Sequence, residues 1–168
     1  MPRPFVPWPD PRLKAVAAPV EAIDDEIRAV WQDMLEAMYA MPGIGLAAPQ
    51  LGIALQLAVV DCRDGGPVAR LANPRILWAS ETTQSHHEAS PNIPGLSAEI
   101  TRPDAVRVGY LDETGKAAER LFEGLWATSV QHQVDHLAGK MFIDRLSPMK
   151  RRRLLDRHRK EIKRRQRA

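Results

Sequence analysis

An α+β fold, mostly antiparallel strands around one central helix, is what this sequence predicts, and three observations carry the prediction. Two stretches repeat apolar residues at three- and four-residue steps, the mark of helices with a buried face. Between them lie short apolar or alternating runs bounded by Gly, Pro, Asn and Asp, the pattern of antiparallel strands and turns. No internal repeat, low-complexity linker or composition break divides the 168 residues, so one domain is expected over residues 1–168.

The opening PWPDPRLKAVAAPV is punctuated by Pro7, Pro9, Pro11 and Pro19, which leaves an extended arm rather than a long helix. Asp24 or Asp25 can cap a first helix that runs to about Met41. Its apolar positions Ile27, Val30, Trp31, Met34, Leu35 and Met38 share one face, and Pro42-Gly43 stops it. Residues 55–61 read as a strand, followed by a turn at Asp64-Gly65-Gly66-Pro67. Residues 68–72 and 76–79 flank a break at Asn73-Pro74. Val106, Val108 and Tyr110 alternate with polar or small neighbours, and a turn at residues 112–115 leads into a second strand over 117–122, together an antiparallel hairpin. Leu125–Leu137 has helical spacing. A last helix follows Ser147-Pro148, with serine as cap and proline at the first helical position, and covers residues 148–168.

Apolar residues make up 44% and charged residues 27% of the chain, ordinary for a globular protein. No apolar run reaches the roughly 18–20 residues of a membrane span, and the first residues lack the apolar core of a signal peptide. Cys62 is the only cysteine, so no internal disulfide is possible and a cytoplasmic location is expected. It follows the run Leu57–Val60 and reads as a buried strand thiol. The net charge of +3 is unevenly spread: residues 150–168 hold 11 Lys/Arg and 2 Asp/Glu, a tail of +9 on a body of −6. Such a tail is drawn to polyanions.

His132 and His136 stand four residues apart on the predicted central helix, where both face one side and can share a metal ion. Taken alone, paired helix histidines are more often packing or surface residues. Their surroundings change the weighing. GIGLAAPQ at 43–50, followed by LGI, resembles the first signature of peptide deformylases. QHQVDHLAGKMFIDRLSPMKR at 131–151 resembles their HExxH signature, and EASPNIPGL at 88–96 sits where the family has a segment like EGCLSVPGL. The leader PDPRLKAVAAPV and the NPRI at 73–76 also match family positions, so the resemblance runs in order along nearly the whole chain.

The resemblance implies a metal-dependent hydrolase that removes the formyl group from the initiator methionine of nascent polypeptides. It implies iron or zinc held by two helix histidines and a cysteine, a glutamate as general base, and a glutamine and a backbone N–H as oxyanion donors. Carried onto this chain, His132, His136 and Gln50 match. Ser90 takes the cysteine position in the register that also keeps Glu88 and Arg102 in place, Gln133 the glutamate position, and Pro91 the position whose N–H serves the oxyanion. A serine hydroxyl is a poorer ligand than a thiolate, a carboxamide cannot shuttle a proton, and proline has no N–H. Losing a general base alone typically costs ~10²–10⁴ in rate.

Little or no deformylase activity is therefore expected, with a divalent metal held weakly or not at all. The substrate pocket implied by the resemblance draws on Gly43, Ile44, Gly45, Ile93 and Trp126, and Glu88 and Arg102 form a structural ion pair. His86 or His87 is a candidate substitute ligand, against the simpler reading of an exposed strand end. Asp135 projects from another helix face and suits a supporting role. Two alternatives stand beside this reading. One is an active hydrolase with a His/His/Ser site; the other is a protein that binds formyl-methionyl or methionyl peptide ends, or the ribosomal RNA through its basic tail, without catalysis.

Overall fold

A computed structural model describes residues 3–168. The extended arm contains one tight turn at Pro11–Lys14 and leads to helix α1, Asp25–Ala40. Asp24 caps that helix by accepting the Ile27 N–H, and Asp25 and Glu26 add negative charge to its first turn, which favours the positive end of the helix dipole. Seven strands follow: β1 Gly45–Ala47, β2 Leu57–Val60, β3 Ala69–Ala79, β4 Thr83–Ala89, β5 Ser97–Pro103, β6 Ala105–Leu111 and β7 Ala117–Glu123. Helix α2 spans Leu125–Leu137 and helix α3 Pro148–Gln166. All strand pairings are antiparallel. Five strands form one sheet in the order β1-β2-β3-β6-β7, and β4 pairs with β5 in a separate hairpin.

The large sheet is covered on both faces, which explains why β2 reads as an unbroken apolar run rather than an alternating one. Leu57 and Val59 point to the α1 side, packing with Trp31, Met34 and Met38. Ala58 and Val60 point to the other side, where they meet Ala127 and Val130 of α2. A third apolar cluster joins the arm, the β4–β5 hairpin and α3 through Leu13, Ile93, Ile100, Phe142 and Leu155.

One expectation is revised and two features are added. The break at Asn73-Pro74 is a register shift within β3 rather than an end to it. Asn73 takes a positive φ of 49°, and its carboxamide clasps the arm, accepting the Val20 N–H and donating to the Val20 carbonyl, both at 2.8 Å. The β4–β5 hairpin has no apolar alternation to announce it, since Glu88 is the one buried residue in TQSHHEA. Along α3 the buried face ends early. Leu155 and His158 are buried, whereas Ile162 is 40% exposed and every residue from Arg159 on is exposed.

Because Ile93 is fully buried in the third cluster, Ile93→Ala is expected to lower the unfolding free energy by about 2–5 kcal/mol, read from the midpoint of a chemical denaturation curve.

Candidate active site

Helix α2 is buried around nearly its whole circumference. Gly124, with φ of 61° and ψ of −133°, turns the chain from β7 into it by a conformation that a side chain would oppose. Trp126, Ala127 and Val130 face the sheet. Leu125, Ser129, His132 and His136, at three- and four-residue steps, face the other way.

The two imidazoles approach with Nε2 to Nε2 at 3.2 Å. Nδ1 of His132 lies 2.8 Å from Oε1 of Glu88 on β4. Arg102 on β5 grips the same carboxylate with two bonds of 2.7 and 2.9 Å and sends a third, of 3.0 Å, to Asp135. Asp135 is held in turn by the half-exposed Arg145. The expected Glu88–Arg102 pair is thus one link in a chain of charges that runs from the surface to His132. Burial by itself would raise the Glu88 carboxyl, but hydrogen bonds from Arg102 and His132 outweigh it and hold the group at about 2. An ionised carboxylate can only accept, so Nδ1–H of His132 donates to it. Burial, followed by the neighbouring His132 and Arg102, pushes the His136 imidazole well below its usual range. That ring is neutral, and its Nδ1 is buried without a partner.

Two nitrogens bound to one tetrahedral ion at ~2.05 Å lie about 3.3 Å apart, so the imidazole pair suits a metal as a two-point chelate. A third protein ligand is not supplied. The Ser90 hydroxyl donates to Oδ1 of Asn92 at 2.9 Å and accepts from Nε2 of Gln50 at 3.2 Å. Among the described residues no group of three His, Cys, Asp or Glu converges. His86 is turned to Oγ1 of Thr128, 3.0 Å away, and His87 sits exposed at the rim. Cys62 is half-buried just past the end of β2, its thiol pushed up to about 12 by burial and by Asp64 and Asp61, and takes no part.

The cleft beside the imidazoles is a cavity of about 170 Å³. Gly43, Ile44, Gly45, Gln50, Pro91, His132 and Gln133 line it. Ile93 and Trp126 do not. Ile93 belongs to the third apolar cluster, and Trp126 stacks on Phe122 and donates its indole N–H to Asp64. Met41, Leu125, Thr128 and Ser129 line the cleft instead. Counting back in helical steps from His132 would have found the last three; nothing in the sequence marks Met41.

Gln50 is in place but faces inward. Its Oε1 accepts the Ala47 N–H, and its Nε2 hydrogens go to Asn92 at 2.8 Å and to Ser90. Asn92 is fully engaged, since its Nδ2 donates to the carbonyls of Val6 and Gln50 at 2.7 and 3.0 Å.

The site thus sits in a sheet covered by one helix on each face, with a paired-histidine helix opening on a small cleft. The family model for polypeptide deformylase matches residues 2–152, and the chain belongs to that family. A peptide deformylase of Methylocella silvestris is 47% identical, over 96% of this chain and 85% of that one. One of Phenylobacterium zucineum is 44% identical, over 92% and 94%. Among solved structures, a peptide deformylase of Legionella pneumophila superposes with a TM-score of 0.85 at 37% identity, covering 98% of this chain and 99% of the other. One of Synechococcus elongatus in complex with actinonin gives 0.87 at 37%, covering 94% and 86%.

The Glu88 carboxyl lies below its ordinary value of 4.5 in the folded chain, so its contribution is complete above that pH and is lost as pH falls from there toward about 2. A stability difference on the order of 3 kcal/mol is expected across that window. Glu88→Gln should flatten the corresponding slope in acid titrations of the unfolding free energy.

Proposed function

We propose that this chain receives the amino-terminal end of a peptide, formyl-methionyl or methionyl, in the cleft beside His132 and hydrolyses the formyl amide slowly or not at all. The observation that carries this reading is the state of the titratable groups in the cleft. Glu88 is locked to Arg102 and His132, and Gln133 stands where the family has its glutamate. A water near Gln133 can be oriented by the carboxamide but cannot give up its proton to it.

The remaining polar groups support the same reading. Gln50 keeps its donors on Asn92 and Ser90, and Pro91 at the cleft wall has none to offer, so two sources of oxyanion stabilisation are withdrawn; one such donor is typically worth ~10²–10³. Iron or zinc, where bound, would be held by His132 and His136 and would supply Lewis acidity and a more acidic water. Glu88 orients His132 for that role by fixing its Nδ1–H. A third bond from Ser90 would come from a neutral hydroxyl that already accepts from Gln50 and is a poorer ligand than a thiolate, which is why an active His/His/Ser site is the weaker alternative. The apolar side of the cleft, with Met41, Ile44 and Leu125, suits an aliphatic first side chain.

A cytoplasmic site of action and a ribosomal RNA contact complete the proposal. From Arg159 onward α3 is exposed and carries most of its charge as Arg and Lys, with one acidic residue, Glu161. Phosphate contacts of this kind weaken steeply with salt.

Two outcomes test the reading. In deformylation of a formyl-methionyl peptide, with iron, nickel, cobalt or zinc supplied anaerobically, the natural chain is expected to turn over near background. The triple change Ser90→Cys, Pro91→Leu, Gln133→Glu should raise the rate by at least ~10²; turnover of the natural chain at the level of an intact relative sinks the proposal. Co-sedimentation with ribosomes should be lost at high salt and on truncation after Arg159, and binding that ignores both would count against the RNA contact.

A further inference from the structure

Helix α1 covers its face of the large sheet only in part. It packs on β1 and β2, and its apolar cluster takes in Ala72 of β3 and Leu111 of β6 but no residue of β7. The rest of that face, across β3, β6 and β7, is open. Strand register shows which residues stand on it. Arg107 on β6 is paired with Trp78 on one side and Leu121 on the other, and Gly109 with Arg75 and Glu119. Val106 and Val108 point to the opposite face, where they are fully buried. The register shift between Ile76 and Trp78 brings Leu77 to the open face as well. Its side chain lies over Gly109, 3.1 Å from where a β-carbon would stand.

The result is an apolar strip with charges of both signs beside it. Leu77 is 41%, Trp78 51% and Leu121 41% exposed. One such residue on a surface is ordinary, but three on adjoining strands of one sheet face mark a contact surface. Trp78, Arg107, Leu121 and Glu123 also line a shallow depression there. The charges are sorted by strand. Arg75 and Arg107 stand on β3 and β6, whereas Glu119 and Glu123 flank Leu121 on β7, the edge strand of the sheet. Among the described residues none of these four is in an ion pair.

We propose that this face is the contact between two copies of the chain, related by a two-fold axis that runs parallel to the strands. Such an axis lays β7 of each copy over β3 of the other, at the roughly 10 Å spacing of packed sheets. Arg75 then meets Glu119 of the second copy and Trp78 meets Leu121, each contact being made twice. Arg107 stands near the axis, where Glu119 and Glu123, diagonal to it on β7, offset the approach of the two guanidinium groups. The charges select this occupant over others. They sum to zero, so neither a polyanion nor a strongly acidic or basic partner is favoured, whereas opposite signs in separate rows complement the same face turned over. Three strands make a small interface, so the dimer forms at high protein concentration.

Sedimentation velocity of the full chain at rising concentration tests this. The natural chain is expected to pass from the monomer's to the dimer's sedimentation coefficient, and Trp78→Ala to weaken association by at least ~10-fold. Arg75→Glu and Glu119→Arg, each alone, set like charges opposite one another twice and should also weaken it by at least ~10-fold. An equimolar mixture of those two variants restores opposite charges at both contacts and is expected to dimerise as the natural chain does. All three positions are exposed, and thermal melts establish that each variant is folded. A natural chain that stays monomeric at every concentration overturns the proposal. So does a dimer that the substitutions leave untouched, or a mixture that associates no more tightly than its components.

Discussion

The guanidinium of Arg102 has almost no contact with water, yet it touches two carboxylates, on β4 and on α2. Burying three charges is costly, and the cost is recovered only when every partner is in place and well oriented. Here the geometry is complete: two bonds to Glu88, one to Asp135, and Asp135 closed from outside by Arg145. The β4–β5 hairpin has no large apolar face of its own, so this polar joint fixes its position over the central helix. The orientation of His132 follows, since Glu88 cannot serve Arg102 in this way without also meeting the imidazole.

A second polar joint lies on the other side of the cleft. Gln50, Ser90 and Asn92 satisfy one another with little left over. In doing so they draw inward the groups that the family resemblance assigns to ligation and oxyanion binding. The cleft that remains is bounded by committed charges and by the α2 side chains Ser129 and Gln133.

Much of this was legible in the residues. The helix faces, the β6–β7 hairpin, the Ser147 cap and the pair His132 and His136 all follow from periodicity and turn chemistry. So did the Glu88–Arg102 pair, through the family resemblance. The β4–β5 hairpin was not legible, because a strand whose sole buried residue is a glutamate has no apolar signature. Ile93 and Trp126 were placed in the pocket because large apolar residues near a motif suit either a pocket or a core, and only the packing of Ile93 on Phe142 and Leu155, and of Trp126 on Phe122, separates the two. The inward turn of Gln50 was equally hidden, since it depends on Asn92, a residue that no motif singles out.

Asn92 also reaches the amino-terminal arm, through its bond to the carbonyl of Val6, and Val6 and Trp8 answer with N–H bonds to the carbonyls of Gln50 and Asn92. The arm is therefore a strap across the back of the cleft. Shortening the chain past Val6 would remove a carbonyl acceptor from Asn92 and a donor from Gln50 at one stroke. Trimming at that end would slacken the Gln50–Asn92 joint behind the cleft and strip Phe5 from the core that packs on α1, so the arm acts as a tensioner shared by the cleft wall and the helix.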